Sequence, residues 1–160
     1  MADDSEQPQQ QPLDRVMDHV IDEVRMVLPG VQTLFGFQLI VTFNTYFREV
    51  LSAGEQRAHL LATAMSAVAI ALLMGPAAYH RQVHPRSISK FQLKLSSWLL
   101  TLSLVPLVIA LCIDFYLVAR VILDHKPTAG VLTGLLTSVF VLLWFVLPRY
   151  KRYERKGEVF

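Results

Sequence analysis

The sequence predicts an all-α fold: an integral membrane four-helix bundle preceded by an amphipathic N-terminal helix. Three observations lead there. Met26–Phe47, Ala58–His80 and Pro127–Pro148 hold no Asp, Glu, Lys or Arg over 22, 23 and 22 residues, and Leu95–Ile113 is likewise charge-free. Each window passes the ~18 residues that separate a spanning helix from a buried core helix. The composition, 53% hydrophobic and 18% charged with a mean hydropathy of +0.41, departs from a soluble domain toward long apolar segments. The connections between windows are short, so successive spans should pack as antiparallel neighbours.

At 160 residues the chain is one domain by length. Its net charge of +2 says little; where the charges fall says more. Residues 1–12, MADDSEQPQQQP, are polar and acidic, which predicts a disordered tail. They do not read as a signal peptide, so an internal span is expected to direct insertion. Over 13–28 a helical period appears: Leu13, Val16, Met17, Val20, Ile21, Val24, Val27 and Leu28 keep to one stripe, with Asp14, Arg15, Asp18, His19, Asp22 and Arg25 opposite. Such a helix lies at the membrane surface or docks on its own bundle.

The transmembrane domain is expected over 29–148, with spans at about 29–47, 59–80, 97–119 and 128–147. Pro29–Gly30 marks a turn or a first helical turn before the opening span. Ser89 followed by Gln92 resembles a capping box, so the third helix should begin before its apolar window, with Lys90 and Lys94 still wet. Pro106 in mid-span predicts a kink. Residues 149–160 form a basic tail. Its run RYKRYERK fits an inner-leaflet anchor, and nucleic-acid binding is not needed to explain it.

Lys and Arg set the orientation. Eleven fall on one side: Arg15 and Arg25, then Arg81, Arg86, Lys90 and Lys94, then Arg149, Lys151, Arg152, Arg155 and Lys156. The other side has Arg48, Arg57 and Lys126, or four with Arg120. Both termini should therefore be cytoplasmic. Tyr79, Trp98, Trp144 and Tyr150 fall at the inner interface and Tyr46 and Tyr116 near the outer one, as aromatic belts do.

Asp114 is the most informative side chain. It should lie about one turn inside the outer boundary, where a carboxylate is paired, neutralised or functional. Arg120, six residues on, points elsewhere on a helix and has a better partner in Asp124 at i+4. Asp114 then needs Arg48 or Arg57, a hydroxyl or amide from another helix, or a proton. A structural ion pair is the simpler reading and a functional site the sharper one. Gln38, Thr42 and Thr45 share a face of the first span, whereas Gln32 and Asn44 point away. That seam could line a solute path, but interhelical hydrogen bonding is the commoner role.

Ala64, Ala67, Ala71, Gly75 and Ala78 make a smooth face on span two, and Gly130, Gly134 and Ser138 make one on span four. Small residues let helices approach closely in lipid. Packing within the bundle is the expected use, and dimerisation through span four the alternative. His80 and His84 have the i, i+4 spacing of a metal pair. Pro85 ends the helix at once and no acidic residue is near, so no metal site is expected. Cys112 is the only cysteine and can form no intrachain disulfide. No phosphate loop, activated nucleophile or cofactor motif appears, so catalysis is not expected.

Two stretches, VRMVLPGVQTLFGF at 24–37 and GPAAYHR at 75–81, resemble a family of small bacterial four-span membrane proteins classed as a domain of unknown function. The resemblance covers about residues 20–125. It implies a helical bundle in the bacterial plasma membrane and no particular activity. Both motifs fall at the cytoplasmic ends of spans one and two, where Pro29, Gly30, Gln32, Pro76, Tyr79 and His80 are expected to form one cluster. The function expected is that of a non-enzymatic structural or accessory subunit, acting on itself or on a membrane-protein partner through helix faces. The alternative is an oligomeric channel or transporter subunit that uses Asp114 and the polar face of span one.

Overall fold

The computed structural model describes residues 7–83 and 89–151. The expectations for residues 1–6 and 152–160, and for His84, Pro85 and Arg86, lie outside the described residues. Five α-helices follow in order: α1 (Gln7–Thr42), α2 (Thr45–Val50), α3 (Ala53–Val83), α4 (Lys90–Leu123) and α5 (Lys126–Val141), with no strand among the described residues. A π-helical turn at Leu142–Val146 prolongs α5. Four helical segments are long and apolar enough to cross a membrane: Arg15–Thr42, Ala53–Gln82, Lys90–Leu123 and Lys126–Lys151. The chain is an all-α membrane protein.

The first span differs from expectation at both ends. α1 starts at Gln7, inside the stretch read as a tail, and runs unbroken through Pro29–Gly30. Proline removes one N–H from the helix ladder, here the bond to the Arg25 carbonyl, and this helix absorbs the loss without a turn. The amphipathic segment and the first span are thus one helix. Its stripe is turned inward in part: Met17 and Val20 are buried, while Arg15, Asp18, His19, Asp22 and Arg25 are exposed. At the other end the span stops at Thr42 instead of Phe47. Asn44 is the reason, because its side-chain oxygen accepts from the Tyr46 N–H at 3.0 Å and caps α2.

Two further caps set the bundle's register. Ser89 accepts from the Gln92 N–H at 3.1 Å, which starts α4 ahead of its apolar window. Ser52 and Glu55 form a reciprocal capping box at the start of α3: Glu55 Oε2 accepts from the Ser52 N–H at 2.8 Å, and the Glu55 N–H points back at Ser52 Oγ at 3.4 Å. α4 continues through Pro106, which is buried. The most extensive interface is α3 against α4, followed by α4 against α5 and α1 against α3. Val31, Ala69, Leu73 and Leu107 form the mid-bundle core, with Leu100 and Trp144 packed on it.

The smooth faces are not where packing within the bundle would put them. α3 turns Ala62, Ser66, Ala69, Leu73 and Pro76 inward, and leaves Ala64, Ala67, Ala71 and Ala78 exposed. Gly130 and Gly134 are exposed, and a Cβ added at either would meet nothing within 4 Å. α5 packs on α4 through its other side, where Ala129 is buried and Thr137 Oγ1 lies 3.1 Å from Cys112 Sγ. Among the described glycines Gly75 alone makes a close approach: a Cβ there would sit 3.0 Å from Leu99 Cδ1.

Candidate functional site

Three helices converge on Asp114 where α1 ends and α3 begins. Gln38 lies about one turn before the end of α1, His59 under two turns into α3, and Asp114 on α4 faces both. Gln38 Nε2 donates to Asp114 Oδ2. His59 Nδ1 lies 3.1 Å from Asp114 Oδ1, and His59 Nε2 lies 3.0 Å from the backbone oxygen of Gln38. Gln38 and His59 are 3% and 5% exposed and the Asp114 side chain is 19% exposed, so the cluster is mostly internal and opens to its surroundings at the carboxylate. The Phe47 ring of α2 meets the imidazole edge-on, with centroids 5.2 Å apart. One polar atom is left over: Gln38 Oε1 is buried and has no hydrogen-bond partner.

Beside this cluster lies a cavity of about 370 Å³ between α1, α2 and the end of α4, with Gln38, His59 and Asp114 in its lining. Its walls are almost wholly apolar, including Leu34, Phe37, Val41, Phe47, Leu117 and Val118. Phe37, Val41 and Val118 are also exposed on the outside of the bundle. All three belong to helices long and apolar enough to cross a membrane. An apolar cavity of this size with a few convergent polar groups is the usual form of a small-molecule site.

A second layer fixes the cavity's end. Arg120 Nε lies 2.8 Å from Glu55 Oε1, and Arg120 Nη1 donates to the Val50 carbonyl at 3.0 Å. One guanidinium therefore ties α4 to the start of α3 and the end of α2. This corrects the partner expected from helical spacing. Asp124 is the residue that ends α4, with φ 48°, and its N–H bonds the Arg120 carbonyl.

Other expectations also change. Of the partners expected for Asp114, the amide from another helix is the one present; an unexpected imidazole joins it, and neither Arg48 nor Arg57 is bonded to it. Of the polar seam on span one only Gln38 points inward. Thr42 bonds its own Leu39 carbonyl at 2.7 Å, and Thr45 is exposed on α2. The cluster expected around Gln32 and His80 is split: Gln32 is exposed, and His80 Nδ1 pairs with Gln92 Nε2 of α4 at 2.8 Å. Gln92 and Ser96 are each 1% exposed, and Gln92 Oε1 and Ser96 Oγ have no partner. Among the described residues, no group of three His, Cys, Asp or Glu could hold a metal ion.

Sequence reasoning missed His59 and the Ser52–Glu55 cap. The first had a signal, an imidazole inside a window otherwise free of titratable groups until Tyr79 and His80. The second had the sequence SAGE, a capping box ahead of an apolar run.

Neither the curated proteins nor the solved structures contain a match to this chain. A family model does match, over residues 5–148, and so reaches past the three spans of the resemblance through the fourth and into the acidic head. The chain therefore belongs to DUF6328, a family of unknown function.

Proposed function

We propose that this chain is a non-enzymatic membrane protein that holds an amphiphilic small molecule, taken up sideways from the bilayer, in the cavity beside Asp114. The cavity itself is the observation that carries the reading: about 370 Å³, apolar-walled, with Gln38, His59 and Asp114 at its base. A purely structural role for the Asp114 cluster would need the three helices pinned together but would not need an open space against it. Native mass spectrometry of the full chain, purified from its own membrane in mild detergent, tests the reading. A retained small molecule that is lost in Val118→Trp, which fills the mouth, is the expected result. A chain that carries none, or one whose retention ignores that substitution, overturns it.

A second reading, association with another copy or with a membrane-protein partner, rests on the exposed Gly130 and Gly134 of α5. Small residues turned toward lipid allow close helix contact. Disulfide trapping through Gly134→Cys in a Cys112→Ser background tests it, and a chain that stays monomeric in lipid argues against it. The channel reading draws no such support, since Thr42 and Thr45 do not continue a path from Gln38. The distribution of Lys and Arg supports an orientation with both termini in the cytoplasm, and the bacterial plasma membrane is the address that the resemblance implies.

A further inference from the structure

The imidazole of His59 meets an oxygen at each of its nitrogens. Nδ1 lies 3.1 Å from Asp114 Oδ1 on α4, and Nε2 lies 3.0 Å from the Gln38 backbone oxygen on α1. Turning the ring over would set carbon atoms against both oxygens, so a nitrogen belongs at each. Asp114 Oδ2 is taken by Gln38 Nε2. A neutral imidazole has one N–H, and beside an ionised Asp114 it can serve only one of the two contacts. One further proton serves both. It makes either an imidazolium against a carboxylate or a neutral imidazole whose Nδ1 accepts from a carboxylic acid, and the pair is neutral overall either way.

Around the ring the remaining charges are matched or turned outward. α2 presents the Phe47 ring, and Tyr46 lines the cavity beside it. On α3, Glu55 lies one turn earlier and is bonded to Ser52 and Arg120. Arg48, Glu49, Arg57 and Lys126 are exposed. The open end of the cluster is Asp114, where a proton can enter and leave. Without that proton, one of the two contacts sets lone pair against lone pair. The single N–H favours the carboxylate, because a hydrogen bond to an ionised acceptor is roughly twice as strong as one between neutral groups. Nε2 then turns a lone pair on the Gln38 oxygen, so the contact with α1 is the one that opens.

We infer that Gln38, His59 and Asp114 form a proton-binding site: one proton is held between His59 and Asp114, and its release parts the end of α1 from α3. The proton leaves at the open carboxylate to a water molecule or a soluble base, and the pair passes from neutral to a single negative charge. No electron is transferred. The site goes beyond the proposed role of the cavity and does not depend on what the cavity holds.

The test is solid-state NMR of the full chain in phosphatidylcholine liposomes, with 15N in histidine and 13C in aspartate and in the backbone carbonyl of glutamine. The pH is raised in steps from about 5 to about 9, on both sides of the ordinary imidazole value. His59 is assigned as the signal lost in His59→Gln or, if that variant fails to fold, by elimination with His19→Gln, His80→Gln, His84→Gln and His125→Gln. On the acid side the ring should show two N–H groups, or one beside a protonated Asp114, together with a dipolar coupling between Nε2 and the Gln38 carbonyl carbon. One proton should then leave in a single step, with Nδ1 keeping its hydrogen and the coupling to Gln38 weakening in that same step. A coupling that survives the step unchanged overturns the proposal. One ring N–H beside an ionised Asp114 at every pH also overturns it, and so does a second proton retained at every pH, since a binding site must release what it binds.

Discussion

His59 Nδ1 lies 3.1 Å from Asp114 Oδ1 and joins α3 to α4 across 55 positions of sequence. The same carboxylate takes Gln38 Nε2 from α1, so one side chain holds three helices together. Inside a membrane such a contact has no water to replace it.

The pair should be energetically coupled. In a double-mutant cycle of His59→Leu and Asp114→Leu, followed by thermal unfolding in detergent, we expect a coupling of about 0.5–2 kcal/mol, the range for interhelical polar contacts. Single-mutant costs that add to within about 0.3 kcal/mol would mean that the two groups do not act as a unit.

Arg120 should not tolerate lysine. Its Nε and Nη1 reach Glu55 and the Val50 carbonyl separately, and a single ammonium cannot span both. Arg120→Lys is expected to cost about 1 kcal/mol in an unfolding titration, a modest figure because the pair is partly exposed. An unchanged midpoint would show that Val50 and Glu55 are held by other contacts.

The glycines should divide into two classes. Gly75→Val would press into Leu99 and part α3 from α4, at about 1–3 kcal/mol for overpacking. Gly130→Ala and Gly134→Ala meet nothing and should leave the monomer as stable or more so, since alanine exceeds glycine in helix propensity by up to about 1 kcal/mol. If those two alanines lower the melting point of a chain shown to be monomeric, α5 packs more closely than its exposed face indicates.

Asn44→Ala should remove the cap of α2 at a cost of about 1 kcal/mol. Because α2 walls the cavity, the loss should appear as faster hydrogen exchange at Tyr46 and Phe47 while α3 and α4 keep their protection. Exchange that rises equally in all helices would mean that the cap stabilises the whole bundle.

The membrane spans were legible because bilayer thickness dictates their length, and length can be read from a run of apolar residues. Asp114 was legible for the same reason, as a charge that interrupts such a run. His59 was not, because histidine does not break a charge-free window, and its meaning arises only when α1, α3 and α4 meet. Asn44 was visible as a polar residue pointing away from the seam of span one, but its role as a cap was not, since local hydrogen bonding decides that. The stripes at Ala67 and Ala71 and at Gly130 and Gly134 were visible as smooth surfaces. Composition alone does not say which way a smooth surface turns, and here both turn outward.

The continuity of α1 has a mechanical consequence. Thirty-six residues in one helix make a rod of roughly 54 Å. The hydrocarbon layer takes up about 30 Å of it, so a long arm carrying Arg15, Asp18, Asp22 and Arg25 projects beyond the lipid. Gln38 sits near the opposite end of that rod, against Asp114. One unbroken helix therefore joins the charged segment around Asp18 and Asp22 to the polar contact that Gln38 makes at the cavity.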